Sequence, residues 1–163
     1  MDMKWTGFFE LEIRDKFGNV TWKKKIHNAL TNQGENSVLN TYFRATTQPT
    51  AFYFRLCNDS LDVGDALTTI VGEPASINGY EPKIIERTDV GWPTIELNEG
   101  AWRIVSKQVT ITASGGDIGP VNTGFLATTL NNTGLLVAFV NFDVPRTILD
   151  GSSLIARYQV KLT

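Results

Sequence analysis

Side chains suited to catalysis are scarce in this chain. Among its 163 residues there is one histidine, His27, and one cysteine, Cys57. A histidine working as a general base needs a nucleophile and an orienting acid supplied from elsewhere in the fold. No Gly-x-Ser-x-Gly turn offers a serine for that role. His27 closes the strand-like run Val20 to His27, on the face that also carries Lys23 and Lys25. A hydrogen bond to a backbone carbonyl is the simpler expectation there. Cys57 lies within Phe52-Tyr53-Phe54-Arg55-Leu56-Cys57 and reads as a small strand residue. With one cysteine, no disulfide forms within the chain, and one His plus one Cys make no zinc site without several carboxylates.

The remaining chemical patterns are weak. Asn58-Asp59-Ser60-Leu61-Asp62-Val63-Gly64-Asp65 is rich in oxygen ligands, but it lacks the closing Glu and the correctly placed glycine of a calcium loop. Paired carboxylates run glycoside hydrolysis when one is kept protonated by burial. Glu10 and Glu12 instead alternate along a strand face, and Glu96 and Glu99 flank a turn. Gly115-Gly116-Asp117-Ile118-Gly119 leads into Pro120 and a strand, so it offers no helix N-terminus to a phosphate. The expectation is a protein that is not an enzyme and holds no cofactor or metal.

Charge narrows the partners. The formal net charge is -2, with Lys23-Lys24-Lys25 the only basic cluster. That run reads as a solvated strand end, and nucleic acid is not an expected partner. The longest apolar run, Leu135 to Val140, is far short of the roughly 18 residues a membrane helix needs. Met1 to Lys4 is polar and charged, with no apolar stretch of a secretory signal behind it. No membrane association is expected, and the sequons Asn58-Asp59-Ser60 and Asn131-Asn132-Thr133 read as turns.

Four tryptophans stand out. Trp22 and Trp102 fall in strands and are expected in the core. Trp5 ends the stretch Met1-Asp2-Met3-Lys4-Trp5, and Trp92 sits in a Gly-Trp-Pro turn. Exposed tryptophans stack on sugars or anchor protein interfaces. Met1, Asp2, Met3, Lys4, Trp5 and Trp92 are therefore the candidate partner-binding residues, with plain packing of the two tryptophans as the alternative.

The elements that must position them are mostly strands. Phe9, Leu11 and Ile13 alternate with Glu10, Glu12 and Arg14, and Val20, Trp22 and Ile26 alternate with Thr21, Lys23, Lys25 and His27. Asp15 to Asn19 joins these runs as a hairpin turn, with Gly18 free to take positive φ. A helix is expected over Gln33 to Arg44, capped by Asn32 with Glu35 in the capping box and Val38, Leu39, Tyr42 and Phe43 as its apolar face. Ala51 to Cys57 is a strand, and Asn58 to Tyr80 reads as a long surface excursion with a helical turn near Asp65 to Thr69. Lys83 to Arg87 and Thr94 to Leu97 are short strands. Ala101 to Ala113 alternates but slips parity at Ser106 to Gln108, as at a bulge or a change of sheet. Strands at Val121 to Thr129, Leu135 to Phe142 and Ser153 to Leu162 complete the chain, the middle one apolar on both faces and so expected to be central. The pattern is an all-β, antiparallel β-sandwich or barrel-like fold with one docked helix near the N-terminal side. It reads as a single domain over residues 1–163, with residues 1–6 as an N-terminal arm.

A resemblance sharpens the function. Gly7 to Trp22 contains Asp15-Lys16-Phe17-Gly18-Asn19-Val20-Thr21-Trp22, and Asn28-Ala29-Leu30-Thr31-Asn32-Gln33-Gly34 leads into the helix. With the aromatic strand Phe52 to Leu56 and the closing Gly151-Ser152-Ser153-Leu154, these segments resemble a family of tailed-bacteriophage virion structural proteins. Asn58 to Gly100 has no counterpart in that pattern. The resemblance implies a protein made in the host bacterial cytoplasm and located in the virion. Its implied role is a capsid decoration (cement) protein that binds the assembled shell. The implied partners are the major capsid protein or other virion proteins and further copies of itself, for instance in a trimer. The alternative is a tail or tail-fibre component carrying a carbohydrate-binding adhesin module, with Trp92 and Asn58 to Tyr80 as the sugar platform.

Overall fold

A computed structural model of the chain describes residues 5–163. Two antiparallel sheets face each other, as the alternation requires. The first contains β1 (Trp5–Arg14), β2 (Val20–His27), β6 (Thr94–Asn98), β7 (Ala101–Val105), β8 (Val109–Thr112) and β11 (Ser153–Leu162), in the order β2-β1-β11-β7-β6 with β8 also on β11. The second contains β3 (Ala29–Leu30), β4 (Ala51–Cys57), β5 (Lys83–Glu86), β9 (Ile118–Ala127) and β10 (Leu136–Ile148), in the order β3-β10-β9-β4-β5. The expected all-β, sandwich-like fold is the one observed.

The main core fills the space between the sheets. Phe9, Leu11, Ile111 and Tyr158 come from the first sheet, and Phe54, Leu126, Ala138 and Val140 from the second. Rings meet across the gap, with Phe9 and Phe54 centroids 5.9 Å apart and Trp22 and Phe142 5.5 Å apart. Over residues 136–140 β10 is buried on both faces, as its sequence predicts. Ala138 and Val140 enter the main core, and Leu136 and Phe139 enter a second cluster on the opposite face.

That second cluster changes the reading of the long excursion. Leu61, Leu67 and Ile70 are buried against Phe125, Leu136 and Phe139 on the outer face of the second sheet. The segment is a covering layer, with its one 3-10 turn at Leu67–Thr69. Polar spacing between these three residues hides their common face from any periodicity.

The hairpin forms as expected. Asp15 Oδ1 accepts from the Phe17 and Asn19 amides, both at 2.9 Å, and Gly18 takes φ 87°. The lysine run sits opposite acids, with Lys25 facing Glu10 and Lys23 facing Glu12. Val20 does not share the buried face of Trp22. A register shift between Ile13 and Arg14 leaves it half exposed.

The parity slip after Val105 is a break within one sheet, because β7 and β8 both pair with β11. At the break the Ser106 amide donates to Tyr158 O at 2.8 Å, and Ser106 Oγ accepts from the Tyr158 amide at 2.9 Å. A side-chain oxygen thus replaces a missing ladder carbonyl.

The helix α1 (Asn32–Arg44) is capped by Thr31, whose hydroxyl accepts from the Gly34 amide at 3.0 Å. Asn32 is the first helical residue, so the box expected with Glu35 does not form. Docking is by the first turn. Gly34 lies so close to β10 that an added Cβ would stand 2.2 Å from Val137 O, and Gln33 Oε1 accepts from the Leu136 amide at 2.9 Å. The apolar residues expected to face the core do not reach it. Leu39, Tyr42 and Phe43 are exposed, Tyr42 by 81%. Trp102, expected in the core, is likewise 57% exposed.

Candidate functional site

The two tryptophans singled out from sequence come together. Trp5 and Trp92 line one open groove of about 780 Å3 where the sheets diverge beside α1. Leu126 and Val137 bound it from the second sheet, Ile104 and Val160 from the first, and Val38 and Tyr42 from the helix. Trp5 and Thr6 are not an arm, because they pair with Leu162 and Lys161 as the first residues of β1. Met1, Asp2, Met3 and Lys4 lie outside the described residues.

Trp92 is held half-buried. Its ring meets Phe52 and Tyr158 edge-on, with centroids 5.8 and 6.2 Å away. The turn that carries it needs a glycine before it, since a Cβ on Gly91 would stand 1.9 Å from Glu86 O. The Trp92 amide donates to Thr88 O at 2.9 Å, and the Lys107 amide donates to Gly91 O at 2.8 Å, tying the turn to the first sheet. Arg87 completes this wall, with its guanidinium 5.8 Å from the Phe52 ring centre and a hydrogen bond to Pro49 O at 3.1 Å.

Beyond the groove the first sheet overhangs the second. Ile104 pairs with Val160 on one side and Ile95 on the other, and Leu97 pairs with Trp102. Lys161 opposite Arg103 carries Leu162 alongside Trp102, and Leu162 pairs with Trp5. Val160 and Ile104 pack on the core, so residues in their pleat position share the core-facing side. Trp5, Leu162, Trp102, Leu97 and Ile95 therefore form an apolar shelf, and among the described residues no second layer lies over its outer end. Leu97 is 62% and Ile95 69% exposed.

Sequence reasoning singles out Trp5 and Trp92, expects Trp102 in the core and Leu39, Tyr42 and Phe43 on the apolar face of the helix, and does not single out Ile95 or Leu97. Their alternation and helical spacing mark a face that wants cover. The spacing does not reveal whether this chain supplies it.

The groups with chemical potential are occupied elsewhere. His27 is exposed and lies against Phe8, ring centroids 4.1 Å apart, rather than on a carbonyl. Burial pushes the Cys57 thiol up to about 11, so it is protonated at neutral pH. Arg14, and then Lys23, hold the Glu12 carboxyl below its usual range, the opposite of a protonated acid catalyst. In the oxygen-rich loop, Asp65 Oδ2 accepts from the Asp62 amide at 2.7 Å and Asp59 Oδ1 from the Ser60 amide at 2.9 Å. The Gly115 and Gly116 amides donate to Asp150 Oδ1 at 2.8 and 3.3 Å, so the glycine loop holds its own carboxylate. Among the described residues no three His, Cys, Asp or Glu side chains cluster as a metal site.

One buried charge is structural. The fully buried Arg55 donates through Nε to Glu73 Oε1 at 3.0 Å, through NH1 to Asn131 O at 3.0 Å and Thr129 O at 3.3 Å, and through NH2 to Asn132 Oδ1 at 2.8 Å. NH2 also pairs with Glu73 Oε2. Tyr80 donates to Glu73 Oε1 at 2.8 Å, and burial, with Glu73 beside it, raises its phenol. The network staples the covering layer and the β9–β10 turn to β4.

No helix among the described residues is long and apolar enough to cross a membrane. Comparison with known protein families and with curated proteins finds no match to this chain.

Proposed function

We propose that this protein is a non-enzymatic structural protein of a bacteriophage virion, acting as a capsid decoration protein that docks on the assembled shell. The observation that carries a docking role is the apolar groove and shelf, an uncovered surface larger than the patches that scattered apolar residues make. The phage setting rests on the resemblance of Gly7 to Gly34 and Gly151 to Leu154. The mechanism is mass action. A protein that binds the assembled shell and not its dissociated subunits raises shell stability by an amount that grows with the logarithm of its free concentration above Kd. Adding the purified protein to shells stripped of accessory proteins tests this. Saturable binding with a raised disassembly temperature supports decoration, and shells that neither bind it nor gain stability refute it.

A specific observation keeps the adhesin reading in play. Trp5, Trp92 and Tyr42 share their groove with Gln48, Arg87 and Asp89, a mix of ring faces and polar groups that suits a sugar. The sugar platform differs from the one expected from sequence. Trp92 opens to the groove between the sheets, whereas Leu61 to Ile70 covers the outer face of the second sheet. Glycan binding abolished by Trp92→Ala would favour the adhesin, and a glycan array with no binding at lectin-like concentrations would remove it.

A further inference from the structure

The overhanging shelf needs a covering layer, and we propose that a second copy of this chain supplies it. In this arrangement two shelves pack face to face across a two-fold axis, each completing the other's sandwich. The inference deepens the docking role proposed above and takes from it only that the protein works by association.

Three observations select this occupant. The first is shape. The shelf is the core-facing side of a pleated sheet, with Ile95 and Leu97 on β6 set against Trp102 on β7. Such a face is normally covered by another sheet about 10 Å away. A two-fold axis places the same pleated face on both sides of the gap, so that each copy serves as the other's missing layer.

The second is area. Trp5, Leu162, Trp102, Leu97 and Ile95 are each between 42% and 69% exposed. For side chains of these sizes that is on the order of 500 Å2 of uncovered surface per copy. Doubled across the axis, it reaches the roughly 1,000 Å2 that a specific interface requires. The groove rim, with half-buried Trp92 and exposed Tyr42, adds to it.

The third is charge. Glu96, Arg103 and Lys161 alternate with the shelf residues and so lie on the opposite face of the sheet, where Glu96 pairs with Arg103 and Glu99 pairs with Lys161 at 3.1 Å. The shelf residues Trp5, Leu162, Trp102, Leu97 and Ile95 are all uncharged, so a second copy meets no like charge from them and a strongly charged partner finds no counter-charge. The two outer edges of the sheet differ accordingly. β2 carries Lys23, Lys24 and Lys25, the usual protection of an edge strand against association. β6, Thr94-Ile95-Glu96-Leu97-Asn98, carries no lysine, and its one charge is taken by Arg103.

The test is sedimentation of the full chain from low micromolar to near-millimolar concentration. The wild type is expected at twice the 18.1 kDa chain mass. Ile95→Lys with Leu97→Lys is expected at the single-chain mass, with an unchanged circular dichroism spectrum. Both positions are more than 60% exposed, so the substitutions leave the fold intact. Phe17→Lys, at an exposed position in the β1–β2 turn, is expected to remain a dimer. As a readout that does not depend on the lysine variants, tryptophan emission of the wild type should shift to the blue with rising concentration, and Trp102→Phe should reduce that shift, Trp5 supplying the rest. A wild type at the single-chain mass throughout overturns the proposal, as does a Lys variant that still dimerises. A closed trimer overturns the two-fold arrangement. Shell binding by a single-chain protein would overturn this inference and leave the decoration reading standing.

Discussion

Removing Arg55 should destabilise this protein more than any substitution on its surface. The side chain is 1% exposed and directs all its donors at Glu73, Asn132 and the carbonyls of Thr129 and Asn131. Arg55→Ala strands the Glu73 carboxylate and leaves those acceptors without their donor. Breaking a buried ion pair in this way costs about 3–5 kcal/mol. Glu73 retains 25% side-chain exposure, so water recovers part of the loss and the lower figure, about 3 kcal/mol, applies. For a chain of this length that is a fall in Tm of roughly 6–12 °C. Urea unfolding at neutral pH, followed by circular dichroism and linear extrapolation, measures it. The double variant Arg55→Met with Glu73→Gln removes the stranded charge while keeping an acceptor for Tyr80, and should recover about half of the loss. A loss below about 1 kcal/mol for Arg55→Ala would refute the claim that this network staples the covering layer. So would a double variant less stable than the single one.

Three further outcomes follow from the packing and the charges. Gly34→Ala places a methyl against Val137 O and should cost about 1–3 kcal/mol in thermal unfolding, whereas Ser37→Ala three residues on should cost little. Cys57 should resist a thiol reagent at pH 8 in the native protein and react fully in urea, because its thiol is buried and pushed up to about 11. Glu12, Glu86 and Asp143 are held below their usual range, chiefly by hydrogen bonds from Arg14, Lys107 and Arg146 respectively. A carboxylate lowered in the folded state stabilises it above the unfolded pKa and loses that contribution as the pH falls through the folded value. Tm should therefore decline below about pH 4.5, and Glu86→Gln should flatten part of the decline.

The strands were legible because alternation and turn chemistry are local. Phe9, Leu11 and Ile13 are buried as their spacing predicts, Asp15 and Gly18 make the turn, and Leu136 to Val140 is central because it is apolar on both faces. What failed to read through depends on partners distant in sequence. Helical spacing correctly marks Leu39, Tyr42 and Phe43 as an apolar stripe, yet Gly34 and Gln33 dock the helix by its first turn and leave that stripe in solvent. Trp102 obeys strand parity and does face the core side, but the opposite sheet ends before it. Nothing in the spacing of β4 gives Arg55 a partner, and only the folded position of Glu73, eighteen residues on, explains its burial. Trp5 and Trp92 stand out from sequence as interface candidates with plain packing as the alternative, while their lining one groove is a product of topology.

The proposed function makes this protein a structural component that docks on a phage shell. Immunogold electron microscopy of intact particles, with antibody raised against this protein, tests it most directly. Label spread over the capsid is the predicted result. Label confined to the tail or its tip, or particles with none, would contradict it.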